Sequence, residues 1–363
     1  MNSDALPEGW EILRNWLPKD LDQRARKHGF FQRARGLQDA ERWLRLILMH
    51  VAGGLSLEQT AMRARELGLA SISGVALFKR LRRSQAWLTD LTGYLLKEQR
   101  RRLGQFVWPY PYRLRVIDAT DITEPGSTGT DWRLHYSIRL PEMVCDHYEL
   151  TDETGGEQLG RFGFAPGELV LADRGYSHRA GLVHVLSAGA HVLVRWNAQI
   201  FPLEETAGKG LLVLPKLRRL RTGEMGEWPV EFVYGQQRYC LRLCALRKSR
   251  TATERARRKA LRKAQLKGSQ ASPQSLEMAA YILVLTSAPA QVLSAQAALD
   301  LYRGRWQVEL VFKRLKSLLD AGQIPKSQDA SARAWMQAKI LTALLLDRVL
   351  LEGKFFSPWG YPL

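Results

Sequence analysis

The stretch RLRVIDATDI, residues 113–122, decides the fold. Its residues alternate between apolar and polar and several are β-branched, the mark of a strand half-buried in a sheet. Upstream of it, apolar positions recur at three- and four-residue spacing, so the period changes here from helix to strand. Asp118 sits inside the run, directly behind Val116 and Ile117. A carboxylate among buried aliphatics is costly to desolvate unless it is paired or bound to a cation. Asp118 is therefore a candidate for chemistry.

Downstream, strands are expected at 132–140 and 145–151, with Pro141 and Glu142 at the turn between them. Residues 157–164 read as helix or loop, and Pro166 with Gly167 as a turn. The apolar run LVLAD, 169–173, is a short buried strand that ends in Asp173. Carboxyl ends of strands in open α/β sheets face ligand crevices, which makes Asp173 a second candidate. A helix over 178–187 and a strand over 191–195 complete the series. Three strands, a connection, a strand, a helix and a strand is the order of a ribonuclease-H-like α/β domain, whose first part is placed at 106–195.

Residues 1–105 read as a helical domain. Ser56 caps a helix with Glu58 and Gln59 in its first turn and Gly68 at its end. The link ASIS, 70–73, leads to a second, basic helix from Gly74 through FKRLRR, 78–83. The pair predicts a helix-turn-helix presenting Lys79, Arg80 and Arg82 to DNA, although any small helical bundle offers similar pairs.

Residues 196–280 break the α/β rhythm and are expected to be a mainly β insertion, with strand-like runs at 210–215, 228–234 and 238–246. Between 247 and 267 stand ten Lys or Arg against one acid, Glu254. As a helix along DNA phosphates this tract would offer Arg257 and Arg258; as a solvated segment it would contact nothing. Both readings stay open. The second part of the α/β domain, 281–363, begins with a strand at 281–286 and a helix from 293 to about 319. A last helix over 330–351 is apolar on most faces and should pack centrally.

Composition narrows the function. The 363 residues hold 54 Lys and Arg against 36 Asp and Glu, a net charge of +18. Such a field attracts polyanions, above all nucleic acid, though a generally basic protein would show it too. An apolar content of 45% excludes wholesale disorder. Three cysteines make no disulfide framework, and Cys240 and Cys244 lack the Cys or His partners of a zinc site. With no secretory leader and no apolar run near the ~18–20 residues of a membrane span, a cytoplasmic protein is expected.

The sequence LYRGRWQVELVFKRLKSLL, 301–319, carries the third candidate acid. At about 100° per residue from Tyr302, Arg305 falls near 300°, Glu309 near 340°, Lys316 near 320° and Lys313 near 20°. Val308, Val311, Leu315 and Leu318 form the opposite, packed side. Alone, the polar row fits a solvated amphipathic face with Glu309–Lys313 support. Beside Asp118 and Asp173 it gains a chemistry, because three carboxylates from separate elements can hold two Mg²⁺ ions about 3.5–4 Å apart.

The spacing Tyr302-x2-Arg305-x3-Glu309-x6-Lys316 resembles the Tyr-Arg-Glu-Lys motif of insertion-sequence 4 family transposases. DATDITEPG around Asp118 and LADRGY around Asp173 resemble that family's blocks for the first two acids, and the likeness runs over about 115–350. The resemblance implies a DNA transposase of the DDE class that cleaves insertion-sequence ends and transfers them to target DNA as a synaptic homodimer; a hairpin intermediate stays open. It implies two Mg²⁺ ions, with Mn²⁺ able to substitute. Asp118, Asp173 and Glu309 become the catalytic metal ligands, and Tyr302, Arg305 and Lys316 DNA contacts, with Lys313 on the same face. It favours Asp118 over Asp121, which faces the other side of the strand. Some members stack a flipped base on an aromatic, for which Tyr281 and Trp306 are candidates beside a packing role. Relatives continue with another helix past KFFSPWGYPL, 354–363, which leaves a truncated or frame-shifted copy open. The main rival is an inactive or domesticated relative that only binds DNA; it has no need to retain all three acids. A plain metal-dependent nuclease leaves the insertion and the Tyr/Arg/Lys row unexplained.

Overall fold

The computed structural model describes residues 9–31, 37, 39–102, 110–140, 142–206, 208–266, 268–325 and 329–353. The stretch 354–363, Pro141, Lys267, the boundary at 105–106 and the Leu318 side chain lie outside the described residues. Six helices come first: α1 (Gly9–Trp16), α2 (Leu21–Lys27), α3 (Ala40–Val51), α4 (Leu57–Glu66), α5 (Gly74–Arg83) and α6 (Gln85–Arg102). The capping signals act as their chemistry requires. Ser56 Oγ accepts from Gln59 N at 3.2 Å while Ser56 N donates to Gln59 Oε1 at 2.8 Å, a reciprocal capping box on α4. Gly68 follows in the left-handed region at φ +63°, and Ser73 caps α5.

Strands β1 (Arg113–Ile122), β2 (Trp132–Leu140) and β3 (Val144–Asp152) form an antiparallel meander. Next, β4 (Glu168–Ala172) pairs parallel to β1 and, beyond α7 (Arg179–Ser187), β5 (His191–Arg195) pairs parallel to β4. The following stretch holds α8 (Val213–Arg218), β6 (Met225–Tyr234), β7 (Gln237–Arg247), α9 (Arg250–Leu266) and α10 (Pro273–Met278). Then come β8 (Tyr281–Thr286), α11 (Ala295–Arg303), α12 (Trp306–Leu318) and α13 (Asp329–Gly353). All eight strands join one sheet in the order β3-β2-β1-β4-β5-β8-β7-β6.

Three expectations are corrected. The run 210–215 is no strand: after a lone bridge between Glu204 and Gly210 it enters α8. Pro215 stands in the first turn of α8, where its missing N–H leaves no helical bond unmade. The stretch 196–280 is mixed rather than mainly β, and its β6–β7 hairpin extends the central sheet through β8. The single helix expected from 293 to 319 is two helices. Gly304 and Arg305 separate α11 from α12 through bonds to the third residue back, Gly304 N to Leu301 O at 2.8 Å and Arg305 N to Tyr302 O at 3.2 Å. Such tightening interrupts the α-ladder, and glycine is a weak helix former where it occurs.

Each sheet face has its own core. On one face Leu114 and Val116 share a cluster with Val308, Val311, Phe312 and Leu315 of α12, with much of α13, and with Trp43, Leu44 and Leu81 of the N-terminal helices. The opposite face buries Ile117, Val170 and Ala172 with Leu159, Phe162 and Leu182. The central placing expected for α13 holds, since it contacts α3, α5, α6 and β3. Among the described residues no helix is long and apolar enough to cross a membrane.

Candidate active site

The pairing of β1 with β4 ends at Ile117↔Ala172, and that of β4 with β5 at Ala172↔Val194. The next row across these three parallel strands is therefore Asp118, Asp173 and Arg195, on strands about 4.8 Å apart. The row lies where β1 and β4 part, at the carboxyl edge of the sheet, where crevices open. Asp118 has the strand parity of Leu114 and Val116, so it emerges on the face covered by α12. Backbone amides fix both acids. Asp118 Oδ1 accepts from Ala119 N at 2.9 Å, and Asp173 Oδ1 accepts from Gly175 N at 2.6 Å in the 3₁₀ turn Arg174–Tyr176.

Val308, Val311 and Leu315 are buried and hold α12 on that face. Arg305, at the break before α12, reaches two acids at once. Its Nη1 donates to Asp118 Oδ2 at 2.7 Å and its Nη2 to Glu309 Oε1 at 2.6 Å. Burial pushes the Asp118 carboxyl up to about 6, with the charges of Asp173 and Glu309 adding to the rise and Arg305 and the Ala119 amide opposing it. Thus one guanidinium holds together two of the three expected acids, and the third stands beside Asp118 in register. Among the described residues no three His, Cys, Asp or Glu side chains are already arranged as ligands of a metal ion. The donor set nevertheless suits a hard cation, being carboxylate oxygens gathered around a single positive group.

The other expected contacts divide. Tyr302 is half-buried beside Arg305, and burial pushes its hydroxyl up to about 12. Lys316 is exposed and donates to the Asp121 carbonyl at 2.9 Å; Lys313 is exposed on the same helix. The Asp121 side chain pairs instead with Arg133 at 3.0 Å. Lys79 and Arg82 are exposed on α5, but Arg80 turns inward. Its guanidinium donates to Phe30 O and lies 5.6–5.7 Å from the ring centres of Phe30, Phe31 and Trp43, where aromatic faces hold a cation. The basic tract is the helix α9 with no buried residue, and Arg257 and Arg258 are exposed on it. Of the two aromatics, Tyr281 is only 4% exposed whereas Trp306 is 50% exposed at the start of α12.

Two residues of this edge escape a reading of the sequence. Arg195 ends β5 in line with Asp173 and is exposed; the signal was a lone charge closing an apolar strand. Glu157 lies in the connection before β4, where nothing in the local pattern marks it.

A family model described as a transposase DDE domain matches residues 142–346. The chain is 33% identical over 347 residues to the protein named as transposase InsL of insertion sequence element IS186A from Escherichia coli K12, covering 94% of this chain and 93% of that one. It is 32% identical over 348 residues to the transposase of insertion sequence element IS421 from Escherichia coli, with the same coverage. Among solved structures, a piggyBac transposase synaptic complex with hairpin DNA superimposes with a TM-score of 0.50 at 8% identity, over 98% of this chain and 77% of that one. That likeness is one of fold, and it agrees with the ribonuclease-H-like order of the strands.

Proposed function

This chain belongs to the DDE transposases, enzymes of DNA cleavage and strand transfer, and on that premise we propose that Asp118, Asp173 and Glu309 are its catalytic, metal-binding acids. The observation that carries the proposal is the site's assembly: register sets Asp118 beside Asp173, and Arg305 ties Asp118 to Glu309. Within the family, the Tyr302, Arg305, Glu309 and Lys316 spacing supports a place in the insertion-sequence 4 branch. Two Mg²⁺ ions, or Mn²⁺ in their stead, would activate water or a 3′ hydroxyl and stabilise the leaving oxygen.

The chain's own side chains do the rest. Arg305 moves from the carboxylates to a phosphate next to the scissile bond, a geometry its planar fork suits. Tyr302 steadies that guanidinium. Lys313 and Lys316 line the same helix face and neutralise phosphates further along the duplex. Arg257 and Arg258 on α9, with Lys79 and Arg82 on α5, extend the basic surface over the terminal inverted repeats; Arg80 serves the helical core. The partner is double-stranded DNA, first the element's ends and then the target, with two copies of the chain in the synaptic complex and the bacterial nucleoid as its setting.

Cleavage of linear DNA carrying the element's own ends tests this reading: it should require Mg²⁺ and stop with EDTA. Lys316→Ala should weaken end binding and lower the slope of log K against log salt by about 0.9, the share of one phosphate. An unchanged slope would show that Lys316 touches no phosphate. Trp306 is the exposed aromatic for stacking an unpaired base. Trp306→Ala should cost about 1–3 kcal/mol on ends with an unpaired base near the cut, and nothing on fully paired DNA. Equal losses on both substrates would remove stacking from the account.

A further inference from the structure

We propose that Glu157 is a fourth carboxylate of this centre, directed at the divalent cation from the sheet face opposite Glu309; the inference rests on the metal-site reading above. Its connection is anchored by Leu159 and Phe162, which pack with Ile117, Val170 and Ala172 on the face away from α12. From there the side chain reaches the turn after β4. A Cβ on Gly175 would lie 1.7 Å from Glu157 Oε2 and 3.0 Å from Asp173 Oδ1, so two carboxylates from different elements crowd one point. A side chain at this position would have to push the Glu157 carboxylate aside.

Glu157 makes no hydrogen bond or ion pair with a described residue. Asp173 and Asp118 set like charge around it, and Arg133 only partly offsets them. A second group points the same way. The Tyr176 hydroxyl is fully buried, has no hydrogen-bond partner, and is pushed up by burial and then by Glu157, Asp118 and Asp173. An unpaired carboxylate set beside like charges, with an orphaned donor next to it, is costly to keep. A divalent cation among these oxygens removes the cost.

The test is Mn²⁺ binding to the full chain, followed by calorimetry and by the Mn²⁺ electron paramagnetic resonance signal, with no DNA turnover involved. Glu157→Gln preserves shape and removes charge; it should weaken Mn²⁺ binding about 10–100-fold, the usual toll of a supporting metal-site group. Glu157→Asp keeps the charge on a shorter arm and should fall between, and it decides the matter should the glutamine variant fail to melt cooperatively. Asp173→Asn should lose Mn²⁺ binding in both measurements, leaving the free-ion signal. Glu157→Gln titrating like the unaltered chain while Asp173→Asn fails would reduce Glu157 to packing around Gly175. Asp173→Asn titrating normally would overturn the metal-site reading and this inference together.

Discussion

Glu309→Gln is expected to cut DNA cleavage at the element's ends by on the order of 10³-fold or more, since losing a metal-ligand charge removes several kcal/mol of transition-state stabilisation. Fold and DNA binding should survive. The Glu309 side chain is 60% exposed, and its ion pair with Arg305 is of the surface kind, worth about 0–1 kcal/mol. Arg305 also bonds Asp118, a contact the substitution does not touch. The measurement is single-turnover cleavage of linear DNA at saturating protein, with thermal melting and end binding alongside. Cleavage within a few-fold of the unaltered chain would remove Glu309 from the chemistry.

The second large effect lies at the other end of the same strands. Arg115, buried on β1, pairs with Asp146 at 2.9 Å and with Glu168 at 3.1 Å, and Arg139 also pairs with both, at 3.0 Å and 2.9 Å. Asp146 and Glu168 are only 1% and 2% exposed, on β3 and β4. The cluster crosses β1, β2, β3 and β4 at the edge away from the candidate site. It opposes any slip of β4 against β1, and a one-residue slip would turn Asp173 to the wrong face. Arg115→Ala leaves two buried carboxylates sharing Arg139 alone and should destabilise the chain by about 3 kcal/mol in urea unfolding. A loss below about 1 kcal/mol would mean that water reaches and solvates these acids.

Much of this architecture is legible in the residues because the signals are local. Alternation gave β1 its bounds at 113 and 122, Ser56 with Gln59 marked the start of α4, and acids behind buried aliphatics marked Asp118 and Asp173. What stayed hidden depends on partners distant in sequence. The row joining Asp118, Asp173 and Arg195 exists only once β4 lies between β1 and β5. Arg80 reads as a surface cation until Phe30 and Trp43, far upstream, form a box around it. Glu157 sits in a connection without periodicity, and its closeness to Gly175 depends on how that connection packs. The break at Gly304 escaped for another reason: 100° bookkeeping assumes an unbroken helix, and the three-residue closures before α12 interrupt it. Within α12 the row keeps Glu309, Lys313 and Lys316, while Tyr302 lies in α11 and Arg305 at the break.

The central claim is that Asp118, Asp173 and Glu309 form one metal site that works on DNA. A structure of the chain with Mn²⁺ and a duplex of the element's terminal repeat tests it most directly, through the anomalous scattering of Mn²⁺. The account predicts Mn²⁺ bound between Asp118, Asp173 and Glu309, with Arg305 withdrawn from Asp118 onto a phosphate. Mn²⁺ bound elsewhere, with Arg305 still bridging Asp118 and Glu309 against bound DNA, would contradict it.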